Sequence, residues 1–226
     1  MALRAIVFDF DGVIANSEPL HFRAYRDVLA GEGLTLTEAD YYAEYLGFDD
    51  VGAFEAVAAR HQLEWSAVRI AELVARKAVV LEALEREVSV LFPGAADAVR
   101  RASATMPVAI ASGARGEEIR RVLAGERLLD CFAAIVGAED TPVSKPAPDP
   151  YLRALALLAP AFPDGLRASD CVAIEDSHWG LDSARAAGLR TVAVTNTYRA
   201  DELTADLTID SLQAMDLDRL ARLCSD

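Results

Sequence analysis

One short apolar run opens the chain and several more recur from residue 107 onward, each stopped by polar or turn-forming residues. Residues 3–8 (LRAIVF), 107–111 (PVAIA), 132–136 (FAAIV), 171–174 (CVAI) and 191–194 (TVAV) are near-continuous in apolar character, which is the pattern of strands buried on both faces. Residues 207–209 are a shorter candidate for a sixth strand. Pro107 is compatible with its run because it opens the strand. Between the runs lie helically spaced stretches at 95–104, 116–124, 149–159, 178–187 and 211–222. Strands alternating with helices predict βαβ units, hence an α/β fold with a parallel sheet covered on both faces. Ligands of such sheets bind outside the carboxyl ends of the strands.

Residues 17–88 interrupt this alternation. They show several helical stretches and no convincing strand. They also hold half of the aromatic residues: Phe22, Tyr25, Tyr41, Tyr42, Tyr45, Phe48, Phe54 and Trp65. The segment is expected to be an all-helical insert between the first strand and the rest of the sheet, with Phe92-Pro93-Gly94 marking the return. The domain expectation is therefore 1–16 with 89–226 for the core, and 17–88 for the insert.

The composition narrows the choice of partners. The chain has 226 residues, is 53% hydrophobic and 26% charged, and carries a formal charge of −14. Such a chain buries a real core and repels both nucleic acid and anionic membrane surfaces. A phosphorylated ligand would need a metal or a local cation to overcome that field. Cys131, Cys171 and Cys224 are odd in number, widely spaced and without a CxxC pair, so neither a disulfide framework nor a zinc site is expected. That usage fits a reducing cytoplasm. No signal peptide and no apolar stretch of membrane-spanning length is read from the sequence.

The residues that follow the strands carry candidate chemistry. Asp9-Phe10-Asp11-Gly12 ends the first run, and in extended geometry the two carboxylates would point the same way. Turn chemistry explains Asp11-Gly12, but an acid closing an apolar run at Asp9 needs a partner. Ser112-Gly113-Ala114-Arg115-Gly116 follows the second run. A hydroxyl with backbone amides near a helix start suits an anion, although Ser and Gly are also ordinary helix openers. Lys145 follows the third run, pinned by Pro146, in a chain with two lysines and twenty arginines. A solvated loop lysine is the plainer explanation. Glu175-Asp176 follows the fourth run, where Asp176 would also serve as N-cap of 178–187. Together, two acidic strand ends, one lysine and one hydroxyl loop reach the same sheet edge. All-oxygen ligands suit a hard cation, with Mg²⁺ the expected cofactor, and the set describes a phosphoryl-binding site.

These motifs, FDFDG at Asp9 and Asp11, ASG at Ser112, Lys145-Pro146 and Glu175-Asp176, resemble in order those of the haloacid dehalogenase superfamily, helical-cap branch. The likeness spans nearly the whole chain and is strongest to β-phosphoglucomutase and its phosphatase relatives, including His21-Phe22-Arg23-Ala24 early in the insert. It implies a Rossmann-like core with a helical cap. Asp9 would be the nucleophile that forms an aspartyl-phosphate, and Asp11 the acid, then base. Ser112, Gly113 and neighbouring amides would bind the phosphoryl group, and Lys145 would balance charge. Mg²⁺ would sit among the Asp9 carboxylate, the Asp11 carbonyl and Asp176, with Glu175 as ligand or support. True haloacid dehalogenases lack an acid at the place of Asp11, which argues against carbon–halogen chemistry.

The insert is expected to choose the substrate. A helix over 66–88 has an apolar stripe of Ile70, Val74, Leu81, Leu84 and Val88, on which Lys77 also falls. Lys77 either reaches the substrate or snorkels from the stripe's edge. His21, one helical turn before Tyr25, either touches substrate or packs. Trp179 either lines the cleft or packs. Where β-phosphoglucomutase places an arginine after Gly47, this chain has Gly47-Phe48-Asp49-Asp50, and where the family has an asparagine after the second motif it has Gly116. Acids at that place would repel a second phosphate. The expectation is a Mg²⁺-dependent phosphatase of a small sugar or polyol phosphate, monomeric, with a sugar-phosphate mutase as the close alternative. A catalytically silent relative would lack Asp9 or Asp11, and both are present.

Overall fold

The computed structural model describes residues 3–45, 48 and 50–225. In chain order the main elements are β1 (Ala5–Phe8), α1 (Glu18–Ala30), α2 (Asp50–Arg60), α3 (Ala67–Glu87), α4 (Ala95–Ser103), β2 (Val108–Ala111), α5 (Gly116–Gly125), β3 (Phe132–Val136), α6 (Asp149–Leu158), β4 (Cys171–Glu175), α7 (His178–Ala186), β5 (Arg190–Val194), β6 (Leu207–Ile209) and α8 (Leu217–Leu223). The contacts divide the chain into two compact units, one of Met1–Asn16 with Val90–Asp226 and one of Ser17–Ser89.

The first unit is an α/β layer structure built on a six-stranded parallel sheet of order β3-β2-β1-β4-β5-β6. The apolar runs of β1, β2 and β4 form strands because every side chain they offer is buried on one face or the other, while the edge strand β3 leaves Ala133 exposed. Ala5 and Val7 join a cluster with Ala109, Val136, Tyr151 and Leu158, while Ile6 and Phe8, on the opposite face, are equally sealed. Each large apolar side chain so buried contributes roughly 1.5–3 kcal/mol. α6 packs on β2 and β3, and α7 on β4 and β5. The register aligns Phe8 with Ile110 of β2 and with Ile174 of β4, so the residues after these strands emerge together at one carboxyl edge. Residues 211–222 do not form one helix. A short turn at Leu212–Ala214 is followed by α8, because Asp216 accepts hydrogen bonds from the Asp218 and Arg219 amides (2.9 and 3.2 Å) and starts a new helix.

The second unit is helical. Its core gathers Tyr25, Val28, Leu29, Tyr41, Phe54, Ile70 and Leu73, with α1 and α2 each packed on α3. Ser66 caps α3 by accepting from the Arg69 amide (3.2 Å). The inward stripe of α3 differs from the expected one: it runs Ile70, Leu73, Lys77, Leu81 and Leu84, whereas Val74 is half-buried and Val88 is exposed. A helix period nearer 3.6 than 3.5 places Leu73, not Val74, in line with Lys77. Among the described residues, no helix is long and apolar enough to cross a membrane.

Candidate active site

The site grows from the end of β1. The Asp9 amide donates to the Ile174 carbonyl (2.9 Å), which continues the ladder to β4 and fixes where the carboxylate stands. The chain then bends at Phe10, so extended alternation does not set the direction of Asp11, and the expectation of two carboxylates pointing alike has no strand beneath it. The Phe10 amide donates to Asp9 Oδ1 (2.8 Å), and Lys145 Nζ lies 2.9 Å from the same oxygen. Gly12 has φ +76, and a Cβ there would stand 1.9 Å from Asp176 Oδ2. Only glycine allows both the left-handed turn and the approach of that carboxylate to the backbone.

The end of β4 supplies the other acids. Glu175 is fully buried; its Oε1 accepts from Lys145 Nζ (2.6 Å) and the Tyr151 hydroxyl (2.7 Å). Its Oε2 accepts from the Asp176 amide (3.2 Å) and the Ser177 hydroxyl (3.3 Å). Gly180 leaves room for this carboxylate, since a Cβ there would lie 1.9 Å from Oε1. Asp176 is not the N-cap of α7. Ser177 has that role, accepting from the Gly180 amide (3.1 Å), and Asp176 instead accepts from the Thr197 hydroxyl.

Oxygens of Asp9, Glu175 and Asp176 lie within 4.8 Å of one another, and all three residues are buried. Two like charges about 4 Å apart repel by about 4 kcal/mol at an effective dielectric near 20. One lysine faces three carboxylates. Burial works against the Lys145 charge, but Asp9 and Glu175 outweigh it and hold the ammonium ionised. Burial, then the charge of Asp9, pushes Glu175 up to about 7 and Asp176 up to about 6. The cluster is therefore short of positive charge. Three carboxylates over two glycines that keep their approach open fit a hard divalent cation. The Asp11 side chain is not in this group.

Ser112 follows β2 and is buried; its amide donates to the Val136 carbonyl (3.0 Å) and its Oγ accepts from the Ala114 amide (3.1 Å). The Gly116 amide donates to both oxygens of Glu139 (3.1 and 3.2 Å), so the Ser112, Ala114 and Gly116 amides of the expected anion loop are already engaged within the protein. Gly113 faces open space, with nothing within 4 Å of a Cβ built there. The Lys145 loop is tied to α7, where the Ser183 hydroxyl donates to the Ala147 carbonyl (2.5 Å). Three contributors escape sequence reading: Tyr151, Ser177 and Thr197. Ser177 and Thr197 follow β4 and β5 within three residues, a position that ordinary turn residues share.

His21 and Lys77 belong to the helical unit and meet there. Lys77 Nζ lies 2.9 Å from His21 Nδ1, 2.7 Å from Asp50 Oδ1 and 4.8 Å from the Tyr25 ring centroid. It is 1% exposed, so it does not snorkel. The Tyr25 hydroxyl also donates to Asp50 (2.6 Å). Burial would raise the Asp50 carboxyl, but Lys77 outweighs it and holds the group below its usual range. Of the acidic stretch after Gly47, Gly47 and Asp49 lie outside the described residues. Trp179, at the start of α7, is 59% exposed rather than packed.

Several known proteins are similar to this chain. CbbY of Rhodobacter capsulatus is 33% identical, with 95% of this chain and 96% of that protein covered. Hexitol phosphatase B of Escherichia coli K12 is 31% identical, with 92% of each covered. The crystal structure of CbbY from Rhodobacter sphaeroides in complex with phosphate superposes with a TM-score of 0.76 at 28% identity, covering 95% of this chain and 96% of that one. Residues 3–188 match the family of haloacid dehalogenase-like hydrolases. With that match over most of its length and phosphatases among its relatives, the chain belongs to the haloacid dehalogenase-like hydrolases.

Proposed function

We propose that the protein is a Mg²⁺-dependent phosphatase of a small sugar or polyol phosphate, working through an aspartyl-phosphate on Asp9. The observation that carries this reading is the Lys145 bridge between Asp9 (2.9 Å) and Glu175 (2.6 Å) beside Asp176. Such a buried group has one acid able to attack and a positive partner to offset repulsion from a phosphate dianion. Relatives named as a hexitol phosphatase and, at 28% identity, a fructose-1-phosphate phosphatase of Escherichia coli support the substrate class.

In this reading the Phe10 amide and Lys145 hold Asp9 Oδ1, and Oδ2 attacks phosphorus. The bond from phosphorus to the ester oxygen breaks, and Asp11 gives that oxygen its proton. Asp11 then takes a proton from water, which hydrolyses the acyl phosphate and restores Asp9. Ser112 and Gly113 cradle the transferring group, where Gly113 leaves space. Asp9, Glu175 and Asp176, with the Asp11 backbone, would hold Mg²⁺, which when bound offsets negative charge on the phosphoryl oxygens. Residues 17–88 act as the cap that selects the substrate, with His21 and Lys77 as its polar residues. A mutase must grip a second phosphate. Lys77 is already neutralised by Asp50, which favours the phosphatase.

The test is phosphate release across a panel of sugar and polyol phosphates with Mg²⁺, with EDTA, and with Asp9→Asn. Release by the wild type that both treatments abolish is expected. Turnover that survives Asp9→Asn, or isomerisation of β-glucose 1-phosphate faster than release, overturns the reading.

A further inference from the structure

The loop after β5 plays no part in the reaction described above, yet three consecutive residues of it contact the two acidic strand ends. The Asn196 side-chain amide donates to the Gly12 carbonyl (2.8 Å), on the turn that follows Asp9 and Asp11. The Thr197 hydroxyl donates to Asp176 Oδ2. The Tyr198 ring packs edge-on against His178, two residues beyond Asp176, with centroids 4.9 Å apart. Asp176 Oδ2 thus lies in the space that a Cβ at Gly12 would fill, and Thr197 donates to that same oxygen. The charges of Asp9 and Glu175 push on the Asp176 carboxylate, and the Thr197 hydroxyl bond opposes that push.

We propose that Thr197 is a positioning residue: its hydroxyl fixes the rotation of the Asp176 carboxylate so that Asp176 joins Asp9 and Glu175 around a divalent cation. Thr197 itself touches neither ion nor substrate. Carboxylates that ligate metals are held by outer hydrogen-bond partners, and loss of such a partner weakens metal binding. The side chain of Thr197 is exposed, so a change there removes a hydroxyl without opening a core cavity.

The inference rests on the metal reading above, and the test separates the two. Mg²⁺ binding to the full-length protein without substrate is measured by titration calorimetry for wild type, Thr197→Val, Thr197→Ser and Thr195→Val. Thr195 is in the same loop, and its hydroxyl is directed to the Asp210 carbonyl (3.5 Å) instead. Thr197→Val is expected to weaken Mg²⁺ binding about tenfold, with Thr197→Ser and Thr195→Val within about twofold of wild type. The melting temperature in EDTA is expected to stay unchanged. Should Thr197→Val melt early, Thr197→Ala repeats the measurement. Equal affinity of wild type and Thr197→Val, or an equal loss in Thr197→Ser, overturns the positioning role alone. A wild type that takes up no Mg²⁺ overturns the metal reading, and this inference with it.

Discussion

Lys77 and Asp50 form an ion pair of 2.7 Å in which the lysine side chain is 2% exposed and the aspartate 35%. The asymmetry makes the two positions unequal. Removing the acid leaves a buried ammonium beside His21 and the Tyr25 ring without its carboxylate. Breaking a fully buried pair costs about 3–5 kcal/mol, and the partial exposure of Asp50 lowers the expectation for Asp50→Asn to about 2 kcal/mol. Replacing Lys77 with methionine in that background removes the stranded charge and should recover most of the loss. Urea unfolding of the single and double variants measures both; an Asp50→Asn as stable as wild type refutes the pair's structural role.

The same pair sets an acid limit. The Asp50 carboxyl is depressed below its ordinary 3.8 in the folded chain. A depressed acid contributes fully above its unfolded value and loses that contribution as pH falls through the folded one. Wild-type stability should therefore drop below about pH 4. Asp50→Asn should show a shallower drop in the same range. Parallel curves from pH 6 down to 2.5 would exclude this origin.

Lys145 is the cation shared by Asp9 and Glu175. Lys145→Ala should lower kcat/KM by about 10²–10³, the range seen when one charge-stabilising donor is lost. Lys145→Arg should recover little, since a planar fork does not replace a compact ammonium between two carboxylates. Steady-state rates on the best substrate of the panel decide it, and near-wild-type turnover in Lys145→Ala would remove Lys145 from the reaction.

Gly12→Ala should damage function more than stability. The left-handed backbone costs about 1–2 kcal/mol for a residue with a Cβ. The new methyl would also overlap Asp176 Oδ2 at 1.9 Å and displace that carboxylate. The expected result is a folded protein that no longer binds Mg²⁺, read by calorimetry beside an unfolding curve. Unchanged Mg²⁺ affinity would show that Asp176 has another place to go.

Sequence alone discloses the strands to within two residues, because a continuous apolar run bounded by polar residues has few other homes in a chain of this kind. It also points to Asp9, Glu175 and Asp176, since charge at the end of a buried run demands a partner, and to Lys145 through the company of those acids; these four do converge. The partners are less visible. Tyr151 sits on the inward face of a helix among alanines and leucines, and nothing nearby marks its hydroxyl for a carboxylate 24 residues on. Lys77 reads as an interruption of an apolar stripe until the fold brings Asp50 to it from 27 residues away. A threonine after a strand is ordinary turn chemistry, which hides Thr197. Such pairings depend on tertiary approach, which hydrophobic period does not encode.

In the strand order, β1 lies between β2 and β4, while the sheet's outer positions fall to β3 and β6. Asp9 is thus anchored to a ribbon laced on both sides, and fraying must first strip away an outer neighbour before reaching it. In the reading proposed above, the residue that exchanges one covalent partner for another stands at the tip of a strand flanked on each side, so its backbone stays put while its side chain reacts.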